Sequence, residues 1–325
     1  MLILKKLISD NYDLEVNEIK LIEGQFCEIY AVTTNKGKYA VKTLQLDYNY
    51  NLEDEGYITE YMHNHGIKVA RLLKTNNNMY HVKADDFQFH IQEFIEGEVL
   101  KVNTAPEWYM EKSAYILGKI HSILKDYKEL NTQFGEDFFS QSTVNGVKSY
   151  YQGELSKALE QKPKDDKFIL DLEERVKNLE RISGFIINAN KLTYTNSHGD
   201  FYTSQTITNN KNITVIDWTS ACRLPACLEI IKSYIFASPE CKNGKIDSGG
   251  LKRYIDYYLK YSSLNDYDIQ IMPYLYYYQQ LICNYHPSEY DNLPYMYTPI
   301  CKLIINVTNW LYENVDILAD EMRTI

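Results

Sequence analysis

The chain contains no apolar run approaching the roughly 18–20 residues of a membrane span, so a helical crossing of a bilayer is not expected. It also lacks any CxxC pair. Its six cysteines (Cys27, Cys222, Cys227, Cys241, Cys283 and Cys301) form no cluster with histidine at zinc-ligand spacing, which removes a cysteine-based zinc module from the reading. No apolar stretch follows the early lysines, because Ser9, Asp10 and Asn11 come at once. We therefore expect mature protein without a secretory signal, with reduced thiols in the cytoplasm. Positive charge is short as well. Thirty-four Lys and Arg stand against 44 Asp and Glu, a formal charge of −10. An acidic chain lacks the overall footprint of a nucleic-acid binder, and no nucleic acid is expected as a partner. No internal repeat is visible.

What remains is ordinary globular composition, 45% hydrophobic and 24% charged, over 325 residues. That length exceeds what one core normally fills and favours two lobes or two domains over a single large α/β domain. The unusual feature is 30 tyrosines, rings that are apolar in body and polar at the tip.

Residues 17–44 alternate apolar and polar positions, through Ile19 and Leu21, then Ile29, Ala31 and Val32, then Tyr39, Val41 and Thr43. Turn signals at Glu23-Gly24 and Asn35-Lys36-Gly37 separate the runs, which predicts a three-strand antiparallel meander. A helix is expected over about 50–65, closed by Gly66, with further strands near 69–74, 79–84 and 88–96. From Glu107 to about Lys125, the residues Met110, Ala114, Leu117, His121 and Leu124 share one helical face. Helical patterns recur at 147–160, at 165–182 and in the last third, interrupted by a β-like stretch from Leu192 to Trp218. The expected boundary lies at Glu96-Gly97, giving a β-rich lobe at 1–96 and a mostly helical lobe at 97–325.

The chemistry concentrates in that β-like stretch. Asp200 lies in a polar, Gly-containing loop, Gln205 follows five residues later, and a short β run delivers Asp217. Two carboxylates and an amide on a strand–loop–strand frame suit phosphoryl transfer from a Mg-nucleotide. One carboxylate would orient the acceptor hydroxyl, while the other and the amide would hold metal against phosphate.

His198-Gly199-Asp200 with Gln205, followed by Val215-Ile216-Asp217-Trp218, resembles the aminoglycoside phosphotransferase and choline kinase superfamily, whose pattern is His-Gly-Asp-x-x-x-x-Asn and then Ile-Asp-Trp. The resemblance implies an α+β, bilobal protein-kinase-like fold: a small antiparallel-sheet N-lobe with one helix, and a larger, mostly helical C-lobe. It implies Asp200 as catalytic base, with Gln205 and Asp217 as metal ligands, and ATP (or GTP) and Mg²⁺ as cofactors. Gln205 departs from the pattern, because Gln carries its oxygen one methylene further out than Asn. By the same resemblance Lys42, in Lys38-Tyr-Ala-Val-Lys42, is the strand lysine that meets the phosphates. Glu55 is its helical partner, with Glu53 as the alternative if the register slips. Gln25 and Phe26 stand where a phosphate-covering turn belongs, although one glycine there identifies nothing. Glu93, Phe94 and Ile95 stand where the inter-lobe linker meets the adenine. His121 is expected to be a buried brace, and Glu229 a structural acid.

The connection between Asp217 and the helix expected from Ala226 is too short for a protein kinase's activation segment, and no Ala-Pro-Glu-like end is present. The expected acceptor is a small-molecule hydroxyl. Asp266, Asp268, Glu289, Asp291, Glu313, Asp316, Asp320 and Glu321 crowd the C-terminal sixty residues beside many tyrosines, which favours a cationic acceptor such as an aminoglycoside or quaternary amine. The other reading leaves these acids as surface and the tyrosines as core. A non-enzymatic nucleotide-binding scaffold, such as a spore-coat-associated relative, is the alternative function. Oligomeric state has no sequence signal.

Overall fold

The computed structural model describes residues 2–24, 27–46, 52–162, 164–283 and 299–323. In chain order these form α1 (Leu2–Asn11), β1 (Val16–Glu23), β2 (Glu28–Thr34), β3 (Gly37–Gln45), α2 (Leu52–Asn64), β4 (Val82–Lys83) and β5 (Phe87–Glu93). There follow α3 (Glu107–Leu124), α4 (Gln141–Glu160), α5 (Asp166–Ile182), β6 (Tyr194–Ser197), β7 (Thr206–Asn209), β8 (Asn212–Val215) and β9 (Cys222–Pro225). The last helices are α6 (Ala226–Ala237), α7 (Ser248–Tyr258), α8 (Asp266–Ile282) and α9 (Pro299–Met322). None of the described helices is long and apolar enough to cross a membrane.

Packing divides the chain into two compact units. The first is Met1–Val99 together with Gln205–Ala221, and the second is Leu100–Ser204 together with Cys222–Ile325. The return of 205–221 was not foreseen, because it depends on long-range backbone bonds. Thr208 and Glu98 exchange N–H···O bonds of 2.8 and 2.9 Å, and Val215 donates to the Lys68 carbonyl at 2.9 Å.

In the first unit the expected meander forms, and the sheet runs β1-β2-β3-β5-β4, antiparallel throughout. The run at 69–74 makes only isolated bridges, Val69 to Val215 and Leu72 to Gln92, rather than a strand. The N-terminal helix α1 is an addition to the single helix expected. It buries Leu4 and Ile8, one turn apart, in a core with Tyr12, Val32, Val41, Phe89 and Ile91. Strand side chains alternate in direction, so Val41 and its cross-strand partner Ile91 fill that core, and Lys42 and its partner His90 emerge on the opposite face. Helix α2 closes at Gly66, whose φ of 82° is a left-handed cap. Within α2, Gly56 admits the Tyr80 ring, which a Cβ would strike.

In the second unit β6 pairs antiparallel with β9. Around this ribbon α3 packs on α7, α4 on α5, and α8 on both α6 and α9. Several of the tyrosines here are interior. Tyr254, Tyr258, Tyr276, Tyr277 and Tyr278 are almost wholly buried, and most of their hydroxyls find partners inside. Tyr277 donates to Asn178, for example, and Tyr278 donates to the Phe138 carbonyl at 2.8 Å.

Candidate active site

In the first unit Lys42, 8% exposed, donates from Nζ to Asp217 Oδ1 at 2.7 Å. The same carboxylate oxygen accepts from Thr219 Oγ1 at 2.6 Å. Asp217 follows β8 in the left-handed region, with φ 59° and ψ 71°, a conformation that a non-glycine residue adopts under local strain. Glu55, on α2, accepts the Trp218 N–H at 3.1 Å on Oε1. Lys42 is therefore bonded to Asp217 and not to Glu55, its expected partner. The Trp218 amide holds one Glu55 oxygen, and Glu55 acts on the lysine through charge. Burial pulls the Lys42 ammonium down, but Asp217 and Glu55 outweigh it and hold it above the ordinary lysine range. Burial, opposed by Lys42, pushes the Glu55 carboxyl up to about 7. Glu53 faces elsewhere, accepting from the Tyr80 N–H at 2.8 Å and contacting His81 Nδ1 at 3.1 Å.

The hairpin of β7 and β8 places Gln205. Its last pair is Thr206 with Val215, and one step further the Ile216 N–H donates to the Gln205 carbonyl at 3.0 Å. Gln205 and Asp217 thus leave the same end of one hairpin. Of the turn at 24–27, Gln25 and Phe26 lie outside the described residues. Cys27 is half-buried, and burial pushes its thiol up despite the Lys42 charge.

The linker continues β5. Glu93 Oε1 accepts from Arg71 Nε at 2.9 Å, and Lys38 Nζ stands 3.6 Å from the Phe94 ring centroid. Phe94 and Ile95 are half-buried. Asn209 Nδ2 donates to the Glu96 carbonyl at 2.9 Å, and Gly97 passes so close to the Thr208 carbonyl that a Cβ would collide with it.

In the second unit Asp200 follows Gly199, which has φ 84°. The Asp200 N–H donates to His198 Nδ1 at 3.3 Å, and Lys232 Nζ on α6 is bonded to Asp200 Oδ1. The next amide, Phe201 N–H, donates to Glu229 Oε1 at 3.2 Å. Glu229 Oε2 meets His121 Nε2 at 2.9 Å, and that nitrogen also lies 3.0 Å from Ser197 Oγ. The other ring nitrogen of His121 contacts the Tyr258 hydroxyl at 2.8 Å. Sequence reasoning gave Glu229 no partner and missed Lys232. Their three-residue spacing on α6 is the signal that places both on one face.

The description of the phosphotransferase enzyme family, APH, matches residues 18–262. The chain belongs to that family. No curated protein matches the sequence. Among solved structures, an aminoglycoside phosphotransferase from Alicyclobacillus acidocaldarius is 17% identical, with a TM-score of 0.67 over 98% of this chain and 96% of that one. A spectinomycin phosphotransferase, in complex with ADP and spectinomycin, is 14% identical, with a TM-score of 0.64 over 100% and 98%. An amicoumacin kinase, in complex with AMP-PNP, Ca²⁺ and Ami, is 12% identical, with a TM-score of 0.61 over 97% and 92%. At such identities the likeness is one of fold, and the chain has the protein-kinase-like fold.

The donors at the end of the β7–β8 hairpin, one carboxylate and one amide oxygen, are hard ligands. They suit a Mg²⁺ ion that takes its remaining oxygens from phosphates and water. Among the described residues no cluster of three or more His, Cys, Asp or Glu could hold a metal unaided. Of the acids expected to line a cationic acceptor site, Asp268, Asp316 and Asp320 are bonded within the second unit. Asp268 is buried and closes a capping box with Asn265 at the start of α8. Asp316 binds Tyr274 and Arg181, and Asp320 pairs with Arg323. Asp266, Glu313 and Glu321 are exposed, while Glu289 and Asp291 lie outside the described residues.

Proposed function

We propose that this phosphotransferase moves the γ-phosphoryl group of ATP (or GTP), bound with Mg²⁺, to a hydroxyl of a small molecule. The observation that carries the reading is the Lys42–Asp217 bond. It sets a buried cation beside a carboxylate at the hairpin end that also bears Gln205. That constellation suits phosphates and their metal, and relatives of the same fold are described with ADP and with AMP-PNP and Ca²⁺. Lys42 would neutralise phosphate oxygens, and Glu55 would hold the Trp218 amide so that Asp217 keeps its left-handed turn. Gln205 and Asp217 are the residues that would hold Mg²⁺, which when bound supplies charge neutralisation for the β- and γ-phosphates. Glu93 to Ile95 would meet the base. Asp200 would take the acceptor's hydroxyl proton as its oxygen bonds the γ-phosphorus. The bond to the bridging oxygen breaks, and the nucleoside diphosphate leaves.

Spectinomycin, amicoumacin and aminopropanol are named with relatives, so aminoglycosides and amino alcohols are the first acceptors to try. Six free thiols accord with a cytoplasmic setting. Asp200→Asn tests the assignment. Mg-ATP should bind as in wild type by calorimetry, while turnover falls by about 10²–10⁴-fold. Equal turnover would remove Asp200 from the mechanism. Tight Mg-ATP binding without turnover on any acceptor would favour the scaffold reading, which the substitution of Gln205 for Asn motivates.

A further inference from the structure

Lys232 belongs to no motif, yet it lies on the carboxylate of Asp200. The two side chains are 15% and 27% exposed, so the pair is shielded more than a surface ion pair, whose contribution is small. Lys232 stands three residues after Glu229 on α6, and Glu229 takes the Phe201 N–H at 3.2 Å. One helix face therefore holds consecutive loop residues at two points, the backbone of Phe201 and the side chain of Asp200. The helix is itself anchored. Glu229 is bonded to His121 at 2.9 Å, and Ser233, next to Lys232, bonds the Tyr254 hydroxyl at 2.7 Å. The Lys232 ammonium also lies 5.7 Å from the Tyr202 ring centroid, which restrains it further.

We infer that Lys232 is a positioning residue for phosphoryl transfer, fixing the orientation of the Asp200 carboxylate that receives the acceptor's proton. The inference rests on reading Asp200 as the base. An aspartate that follows a left-handed glycine has two soft side-chain torsions. A charge-assisted hydrogen bond from an anchored, shielded lysine restrains both. Glu229 already ties the loop backbone to α6, so what Lys232 adds is the setting of the carboxylate. The pairing also balances the charge of Asp200, so a cationic acceptor gains little from that carboxylate alone.

The test is phosphate release from Mg-ATP by the full chain, with water as acceptor, because it needs no identified substrate. Lys232→Met keeps the length and apolar stem and removes the ammonium. The expected result is a kcat lower by about 10–10²-fold with unchanged KM for Mg-ATP, and recovery of most of the rate in Lys232→Arg. In an Asp200→Asn background, Lys232→Met should cost nothing further, because the two residues act as a unit. The same four proteins (wild type, Asp200→Asn, Lys232→Met and the double variant) should show non-additive shifts of unfolding midpoint in urea. A wild-type kcat in Lys232→Met, a further loss in the Asp200→Asn background, or additive unfolding shifts would each overturn the inference. A wild type that neither binds Mg-ATP nor releases phosphate fails the kinase reading instead, and the unfolding cycle then decides on the pair by itself.

Discussion

Each unit buries one histidine against one glutamate, and the two pairs are built differently. In the first, His90 Nδ1 lies 3.6 Å from Glu55 Oε2, too far for a hydrogen bond, and among the described residues neither ring nitrogen nor that oxygen finds a hydrogen-bond partner. In the second, His121 and Glu229 are bonded at 2.9 Å, and Tyr258, Ser197 and the Phe201 N–H complete the network. The electrostatics follow the bonding. Burial, helped by the Lys42 charge, pushes His90 down to about 3, and burial pushes Glu55 up to about 7. Burial would raise Glu229 as well, but the His121 hydrogen bond, the His121 and His198 charges and the Phe201 amide hold it below the ordinary range. Equal burial thus gives opposite shifts because the hydrogen bonds and charges that face the two carboxylates differ. The bonded pair is a frame for the loop that carries Asp200. The unbonded pair is inexpensive to rearrange beside Lys42, where a nucleotide's phosphates would bring new charge.

The largest expected effect is on stability. Glu229→Leu should cost about 3–5 kcal/mol, since it strips a buried histidine and an amide of their acceptor. Glu55→Gln at pH 7 should cost about 1 kcal/mol or less, because it removes no bond to His90 and an amide oxygen can still accept from Trp218. Urea unfolding of both variants checks this. Comparable losses would break the contrast between frame and adjustable pair.

How much of that contrast was legible depends on the residues. The meander was legible because Ile29 and Ala31, and then Tyr39 and Val41, recur at every second position between clear turn signals. The pairing of Lys42 with Asp217 rather than Glu55 was not, because the competitor that engages Glu55 is a backbone amide, Trp218 N–H, invisible to residue identity. Helix α1 was missed because Leu4 and Ile8 become a pattern only once a sheet face exists to receive them. Asp200 could be read from His-Gly-Asp, whereas Lys232, thirty-two residues later, acquires meaning only when α6 meets the loop. The tyrosines were read as a possible cationic lining. At 276–278 they are core, and composition alone could not decide between the two.

Lys42→Ala sharpens the comparison from the ligand side. Removing the ammonium leaves Asp217 and Glu55 facing phosphate without their cation, and Mg-ATP affinity should fall by about 10–10²-fold, or roughly 1.4–2.7 kcal/mol. Glu229→Leu, where it folds, should leave that affinity near wild type. Calorimetry on both separates the roles, and unchanged affinity in Lys42→Ala would move the phosphate contact to another lysine.

The pH dependence of stability should be smaller and diagnostic. Glu55 is raised from 4.5 to about 7, so its contribution is full below about 4.5 and is lost as pH rises through 7. His90 is lowered from 6.5 to about 3, so its contribution is full above about 6.5 and is lost as pH falls toward 3. Between 4.5 and 6.5 the two slopes oppose each other. His90→Leu should therefore make the protein more stable as pH drops from 7 to 5, relative to wild type. Glu55→Gln should make it less stable over the same range. Unfolding midpoints at pH 5, 6 and 7 give both slopes, and parallel profiles for the two variants would mean that neither group titrates as its surroundings require.

The smallest effect concerns Gln205, which leaves the β7–β8 hairpin beside Asp217 but stands where relatives of the pattern carry Asn. Mg²⁺ takes most of its oxygens from phosphates and water, so losing one amide oxygen should raise the Mg²⁺ concentration needed for half-maximal Mg-ATP binding only a few-fold, ~2–5. Gln205→Ala is the direct measure. Gln205→Asn should fall between it and wild type, because the oxygen is kept at a shorter reach from a backbone fixed by the Ile216 N–H bond. Asp217→Ala should be more severe than either, since it removes a carboxylate and unpairs Lys42. A Mg²⁺ requirement lost with Asp217→Ala but unmoved by Gln205→Ala would make Asp217 a ligand and Gln205 a hairpin residue. The first unit would then hold Mg²⁺ through Asp217 alone of the two side chains proposed as ligands.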